Sequence, residues 1–275
     1  MKIVCLVEDT TDSNQIKAEH GISLYIETKN HKMLFDLGQS DLFLQNAQKL
    51  GISIEEVDTV VISHGHYDHG GGLAHFLEIN HHAKIYINIH AFDAHYSERV
   101  KGEFTYIGLD QALKHHQQVV CMDGDYDLDD ELHVFSKISN QDYYPKSNQT
   151  LYKEESGLMM HDDFNHEQNL LIKENNHYVL FAGCAHHGIV NIVERANHRI
   201  QPLPLTAVIS GFHFASRFIE LAESEQSIRE IGNHFKTMKT KFFTGHCTGI
   251  EPYHMIKEVM NDQIKYFKAG NIIKL

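Results

Sequence analysis

An α/β fold, a four-layer αββα sandwich built from two similar halves, is what this sequence predicts, and three observations predict it. The first is an internal repeat. Residues 23–36 read SLYIETKNHKMLFD and residues 169–182 read NLLIKENNHYVLFA. Aligned without a gap, they share Leu24/Leu170, Ile26/Ile172, Asn30/Asn176, His31/His177, Leu34/Leu180 and Phe35/Phe181. The second is that Val61-Ile62-Ser63 recurs, in the same order along the chain, as Val208-Ile209-Ser210, with His66 then falling on His213. The third is that nothing in the 275 residues has linker composition, so both halves belong to one domain spanning 1–275.

Taken in chain order, the elements fit that plan. Ile3-Val4-Cys5-Leu6-Val7 is too short an apolar run for the core of a signal peptide and reads as a first strand. Each copy of the repeat is an apolar alternation, a polar Asn-His turn and a second apolar run, which spells a β-hairpin. Ser40 can cap a helix over 40–50 that Gly51 ends. Thr59-Val60-Val61-Ile62-Ser63 has the β-branched character and length of a buried strand, and Gly70-Gly71-Gly72 lies beyond it. Ile189, Ile192, Val193 and Ala196 recur at helical spacing after Gly188. Residues 216–239 read as one long helical segment with Phe218, Leu221, Ile228, Ile231 and Phe235 facing the core. Met255, Ile256, Val259 and Met260 mark the last helix. Two mixed sheets then pack face to face with these helices outside.

Composition removes several function classes. A hydrophobic content of 42% and a charged content of 22% are those of a soluble globular chain long enough for a sizeable core. A formal net charge of −13, with no basic-aromatic stripe, opposes binding to nucleic acid phosphates. No apolar segment approaches membrane-spanning length. Cys5, Cys121, Cys184 and Cys247 are scattered, without a paired spacing or a disulfide framework, and a reducing cytoplasm is the expected compartment.

The chemistry is concentrated after the 59–63 strand, in His64-Gly65-His66-Tyr67-Asp68-His69. Neutral imidazoles and carboxylates are the donors that zinc and its neighbours prefer, and a strand end is where ligands bind in α/β proteins. With 23 histidines in the chain, a stray pair would mean little; this order at a strand end predicts a metal site. Three later strands end the same way, in Gly183-Cys184-Ala185-His186-His187, Gly211-Phe212-His213 and Gly245-His246-Cys247. Glycine lets the backbone turn sharply beside a ligand. If these strand ends share one edge of the sandwich, their histidines converge on the first cluster. His186 could otherwise cap a helix, and His213 could bind substrate, shuttle a proton or be a buried, hydrogen-bonded side chain. Cys184 reads as a small buried residue, and His187, His81-His82 and His115-His116 as solvent-facing. The acidic run 123–131 reads as a solvated loop, since its spacing fits no calcium-binding loop.

His64, His66, Asp68 and His69, with Asp36 in Leu34-Phe35-Asp36-Leu37-Gly38, resemble the signature of the metallo-β-lactamase superfamily, whose fold is the αββα sandwich. A narrower likeness runs over nearly the whole chain. Glu19-His20-Gly21-Ile22-Ser23, Gly183-Cys184-Ala185-His186, Gly211-Phe212-His213 and Gly245-His246-Cys247-Thr248-Gly249 resemble the branch named for dihydropterin-6-methyl ribofuranosylaminobenzene phosphate synthase. By position, the resemblance implies that His64 and His66 hold one metal with His186 as its third ligand. It implies that Asp68 and His69 hold a second, which His246 completes. Well-known members also carry a histidine before the strand that starts near Leu170 and a bridging aspartate after the next strand. Here His161-Asp162-Asp163-Phe164 stands at the first place, making Asp163 a candidate ligand or ligand support. Cys184 stands at the second, which leaves a hydroxide alone to bridge the ions.

The expected cofactors are two divalent ions, zinc being the commonest choice for such donors and manganese or iron also fitting them. Ions about 3.5–4 Å apart share a water and lower its pKa toward ~7. The metal-bound hydroxide would attack phosphorus or a carbonyl carbon of a phosphorylated small molecule or an ester. The catalytic residues are then Asp68, which orients the nucleophile, and His213, which protonates the leaving group. Residues 101–158 have no partner in the repeat and carry Tyr106, Tyr126, Tyr143, Tyr144 and Tyr152; they are expected to cover the site as an insertion. Two alternatives stand beside the hydrolase. One is the namesake's transferase chemistry, which joins a dihydropterin carbon to an aminobenzene; the other is a di-iron oxidoreductase with the same ligands.

Overall fold

The computed structural model describes residues 1–275. The first half runs β1 (Lys2–Val7), β2 (Ser23–Glu27), β3 (Lys32–Phe35), α1 (Leu42–Lys49), β4 (Thr59–Val61), α2 (Tyr67–Gly70), α3 (Leu73–Ile79) and β5 (Lys84–Asn88). Strands β6 (His95–Val100) and β7 (Glu103–Tyr106) leave the sandwich. The chain returns to it as β8 (Val119–Met122), β9 (Tyr126–Asp127) and β10 (Leu132–Phe135), then leaves again as β11 (Leu151–Glu155) and β12 (Leu158–His161). The second half is β13 (Asn169–Glu174), β14 (His177–Phe181), α4 (Ile189–Ile200), β15 (Leu205–Ser210), α5 (Glu225–Lys236), β16 (Lys241–Thr244), α6 (Ile250–Met260), β17 (Ile264–Tyr266) and β18 (Ile272–Lys274).

Two seven-stranded sheets result, ordered β18-β1-β2-β3-β4-β5-β8 and β17-β16-β15-β14-β13-β10-β9. Three apolar cores separate four layers. Between the sheets lie Leu24, Phe35, Val61, Leu170, Phe181 and Ile209. Phe43, Val60, Ile62 and Phe76 fill the space under α1 and α3. Ile192, Val208, Ile228, Phe235, Phe242 and Ile256 fill that under α4, α5 and α6. The αββα sandwich expected from the repeat is therefore the observed architecture. No helix is long and apolar enough to cross a membrane.

The two hairpins of the repeat pair alike: Leu24 stands opposite Phe35, and Leu170 opposite Phe181. The next strand corrects the alignment. Phe35 pairs with Val61, but Phe181 pairs with Ile209 rather than Val208. Val61 and Ile209 point between the sheets, whereas Val208 points at the helices. Matching Val61 to Val208 is thus one residue out of register, and in a strand one residue exchanges the two faces. The same slip undoes the match of His66 to His213.

Phe35 and Phe181 sit at equivalent places in the two halves and meet across the inner core, with ring centroids 5.9 Å apart. Phe181→Ala should lower stability by about 3–5 kcal/mol, the cost of a large core cavity. The urea midpoint reads this, and a change below about 1 kcal/mol would mean that the ring does not bridge the layers.

Two further expectations change. Only residues Glu225–Lys236 of the 216–239 segment are α-helical, begun by Ser224, whose side chain accepts from Ser227 N. Tertiary bonds hold the residues before it in an irregular path, among them Ala215 N to Cys247 O and Glu223 N to Phe214 O. Phe218 and Leu221 are consequently half-buried outside the helix. The 101–158 segment also divides. Its strands β8 and β10 belong to the two main sheets, while β6, β7, β11 and β12 form a separate four-stranded sheet in the order β12-β11-β6-β7. The excursion from the sandwich is therefore the pair of hairpins over 95–106 and 151–161.

Candidate metal centre

The loop leaving β4 carries the first donors, and its path is tightly constrained. A Cβ on Gly65 would lie 2.3 Å from Ala91 O, so no other residue fits between His64 and His66. A Cβ on Gly183, at the end of β14, would lie 2.2 Å from Ser63 Oγ. These close approaches bring the ends of β4 and β14 together. His64 Nε2 then stands 3.0 Å from His66 Nδ1 and 3.3 Å from His186 Nε2. Beside this cluster is a second. Asp68 Oδ2 is 3.2 Å from His246 Nε2, 3.4 Å from His20 Nε2 and 3.6 Å from His69 Nε2. Cys184 Sγ lies 3.2 Å from His69 Nε2. The His64 and His69 rings join the clusters, with centroids 4.2 Å apart.

Four of the five imidazoles, all but His66, are aimed by a bond on the other side of the ring. His69 Nδ1 donates to Asp36 Oδ2 at 2.7 Å, His186 Nδ1 to Asn148 Oδ1 at 3.0 Å and His246 Nδ1 to Asp9 Oδ1 at 2.6 Å. Ser63 Oγ donates to the Asp36 carboxylate at 2.7 Å, so it accepts from His64 Nδ1 at 2.9 Å. A proton fixed at Nδ1 leaves the Nε2 lone pair facing the cavity, the arrangement in which imidazoles bind metals. Asp36 also accepts from Ser63 N at 2.7 Å and is wholly buried. Four non-glycine residues of this region, Asp36, Ala185, His213 and His246, take left-handed backbone angles with φ of 58°, 57°, 53° and 50°. Such strain gathers where surrounding structure imposes a functional geometry.

The donors fit a divalent cation. Burial, then neighbouring imidazoles, pushes His64, His66 and His186 well below the ordinary imidazole pKa of 6.5. They are neutral, and His64 Nε2, His66 Nδ1 and His186 Nε2 converge. His66 Nε2, turned the other way, is buried without any partner, a state that costs about 1–3 kcal/mol. Three converging neutral imidazoles are a donor set that suits zinc and its neighbours. At the second cluster burial acts on His69 and His246 in the same direction. There Asp36 and Asp68 outweigh it at His69, and Asp68 and Asp9 at His246, so both end above 6.5. Burial would raise the Asp68 carboxyl, but His69, His246 and His20 together hold it well below the usual carboxylate range.

Residues 18–140 match the family model described as the metallo-beta-lactamase superfamily. The solved structure of Tm1679, described as a metal-dependent hydrolase of the beta-lactamase superfamily, is similar over 100% of this chain and 99% of that one, with a TM-score of 0.80 and 27% identity. The chain thus resembles the metallo-β-lactamase superfamily over residues 18–140 and shares its fold. Two proteins of Methanocaldococcus jannaschii are similar over the full length. One, 28% identical over 100% of this chain and 96% of the relative, is named 7,8-dihydropterin-6-methyl-4-(beta-D-ribofuranosyl)-aminobenzene-5'-phosphate synthase. The other, an uncharacterized protein, is 27% identical over 98% of this chain and 99% of its own. The fold is that of the superfamily's metal-dependent hydrolases, which generally bind divalent metals.

The residues singled out in the sequence divide clearly. His64, His66, Asp68, His69, His186 and His246 gather at one rim, and Asp36 lies directly behind it. His213 is half-buried beside them, its ring 4.3 Å from that of His186 and its Nδ1 without a partner. Asp163 does not join them: it is exposed and pairs with Lys153 Nζ at 2.8 Å. The buried carboxylate is its neighbour Asp162, which holds His95 Nδ1 at 2.9 Å and His166 Nε2 at 3.2 Å. His166 Nδ1 accepts from Gly65 N at 2.9 Å, so this trio supports the His64–His66 loop from behind. His187, expected at solvent, is largely buried against Glu167. Sequence reading missed His20 and Asp9 at the second cluster, Asn148 behind His186, and Glu8, which accepts from His246 N at 2.7 Å and Tyr266 OH at 2.8 Å. The branch motif around His20 and the carboxylates that end β1 were the available signals; Asn148 had none.

Proposed function

We propose that this chain is a metal-dependent hydrolase of a phosphorylated small molecule or an ester, with two divalent ions at adjacent sites. His64, His66 and His186 would hold one, and Asp68, His69 and His246 the other, with Cys184 in reach of the second. The observation that carries the proposal is the convergence of six donors, four of whose five imidazoles are aimed inward by outer hydrogen bonds. Bound divalent ions would supply Lewis acidity and a low-pKa water. Asp68, kept ionised among three imidazoles, would bind and orient on the nucleophile's side. His213 lines the cavity and would hand a proton to the departing oxygen. The test is elemental analysis of the purified protein together with turnover of bis(p-nitrophenyl) phosphate. Absence of bound divalent metal after purification and metal loading would defeat the proposal.

A second reading has its own support, the full-length likeness to the dihydropterin-linked synthase. Condensation of a dihydropterin diphosphate with an aminobenzene, without hydrolysis of simple diesters, would favour it.

Protons compete with cations for ring nitrogens, and the two clusters differ in how strongly. His64, His66 and His186 resist protonation, whereas His69 and His246 hold their protons to higher pH. Acidification should therefore displace the second ion first. Dialysis at stepped pH followed by metal analysis should fall from about two ions per chain toward one between roughly pH 8 and 6, around the ordinary imidazole range. Parallel loss of both ions would contradict the assignment of donors to sites.

A further inference from the structure

The cavity above the two clusters, about 530 Å³, is walled partly by the third sheet and partly by the loop between β15 and α5. Two arginines reach it, Arg99 from β6 and Arg217 from that loop. They are the only lysine or arginine side chains lining it. The chain has five arginines. Arg195, Arg199 and Arg229 are each paired with carboxylates, Arg195 with Asp125 at 2.6 Å and Arg229 with Glu225 at 2.8 Å and Glu258 at 2.6 Å. Arg99 and Arg217 have no carboxylate within 4.0 Å. That is unusual in a chain with 37 acidic and 24 basic side chains.

The carboxylates that share the cavity are already engaged. Asp9 holds His20 and His246, Asp68 faces three imidazoles, and Glu98 accepts from Gly102 N at 2.6 Å and Tyr152 OH at 3.4 Å. The two guanidinium groups are thus the uncommitted charges of the cavity, and the anion that matches them must come from outside. The same cavity is lined in part by apolar side chains, among them Tyr67, Ile107, Leu151 and Phe218.

We infer that Arg99 and Arg217 form the receptor for a phosphate monoester on the substrate, at the mouth and apart from the group that reacts, with the apolar lining taking the body between the two. A phosphate monoester carries a charge of about −1.5 to −2 near neutral pH, which matches two guanidinium groups. The planar fork of arginine binds phosphate through paired N–H donors. This deepens the hydrolase reading and depends on it only for calling the bound molecule a substrate.

Equilibrium binding tests the receptor without turnover. Phenyl phosphate and benzoate would be titrated calorimetrically into the metal-loaded protein and, in parallel, into chelator-treated protein, for wild type, R99A/R217A and R99K/R217K. Phenyl phosphate should bind wild type in both states. The alanine pair should weaken it by about 10- to 100-fold, as expected for losing charged hydrogen bonds. The lysine pair should recover part of that loss. Benzoate should bind wild type at least about tenfold more weakly than phenyl phosphate, since one carboxylate charge meets two arginines. Unchanged metal content and melting temperature would certify the variants' folding. Phenyl phosphate affinity within twofold of wild type in the alanine pair overturns the receptor, as does binding that vanishes on chelation without regard to the arginines. Benzoate binding as tightly overturns the choice of phosphate. A protein that binds phenyl phosphate in this arginine-dependent way yet hydrolyses no ester would keep the receptor and lose the hydrolase.

Discussion

His186→Ala is expected to cost the protein one bound ion per chain and to lower ester hydrolysis by about 10³-fold or more, the several kcal/mol that a metal contributes to a transition state. His186 is the donor that closes the first cluster from the opposite sheet, with its Nε2 3.3 Å from His64 Nε2. Its removal leaves His64 and His66, adjacent on one loop, as a two-nitrogen site. The ring also stacks on Phe164, centroids 4.4 Å apart and planes 6° from parallel, so some stability is lost as well. The comparison that isolates chemistry from packing is Asn148→Ala. It leaves the His186 ring in place but removes both the acceptor for Nδ1 and the Nδ2 donor to His186 O at 2.7 Å, and it should weaken metal binding by about 10- to 100-fold. Metal content by elemental analysis and kcat at saturating metal separate the two effects. Wild-type metal content in the His186→Ala protein would take His186 out of the site.

How much of this centre was legible in the sequence follows from how local each part is. His64 to His69 are six consecutive residues at a strand end, so their chemistry can be read without knowing the fold. His186 and His246 also betray themselves locally, by a strand, a glycine and a histidine in succession. Asn148 and Asp9 act on histidines 38 and 237 residues away, and no spacing marks such partners. Asp163 illustrates the opposite error. It and Asp162 are indistinguishable by type, and only the turn that follows, in which Asp162 Oδ1 accepts from Phe164 N at 2.8 Å, decides which one faces inward.

The same division runs through the fold. The hairpin repeat is written in side chains that must face a shared core, and it survives intact. The third strand of the repeat shares its residue types but not its register, because Val and Ile serve equally on either face of a buried strand. Phe218 and Leu221 kept helical spacing with the residues after them, yet tertiary bonds from Cys247 and Phe214 hold that stretch irregular. Phe218 lines the cavity instead.

Asp36→Asn should be the most informative change that touches no donor. Asp36 accepts three hydrogen bonds at 2.7 Å, from Ser63 N, Ser63 Oγ and His69 Nδ1, and has no contact with solvent. Its φ of 58° is left-handed, a conformation that Asn adopts as readily as Asp, so the backbone is not disturbed. The amide group replaces one acceptor by a donor. Whichever way it turns, either Ser63 or His69 meets an N–H where it needs an oxygen. If His69 loses its acceptor, its Nδ1 proton is no longer fixed and Nε2 is no longer held toward Asp68. In that orientation the Ser63 hydroxyl that steadies His64 loses its acceptor too; in the other, the Ser63 backbone N–H does. Both clusters therefore depend on this one carboxylate, the second through His69 directly and the first through Ser63. The expected result is a metal affinity lower by about 10- to 100-fold, as for other supporting partners of metal-bound histidines. Stability should fall as well, by about 3–5 kcal/mol for a broken buried ion pair. Activity should recover in large part at saturating metal, because the donors themselves remain. Ser63→Ala, which spares the Asp36–His69 bond, should cost less on both counts. Metal titration followed by activity reads the first effect and chemical denaturation the second. Wild-type metal affinity in the Asp36→Asn protein would show that the imidazoles are aimed by something other than this carboxylate.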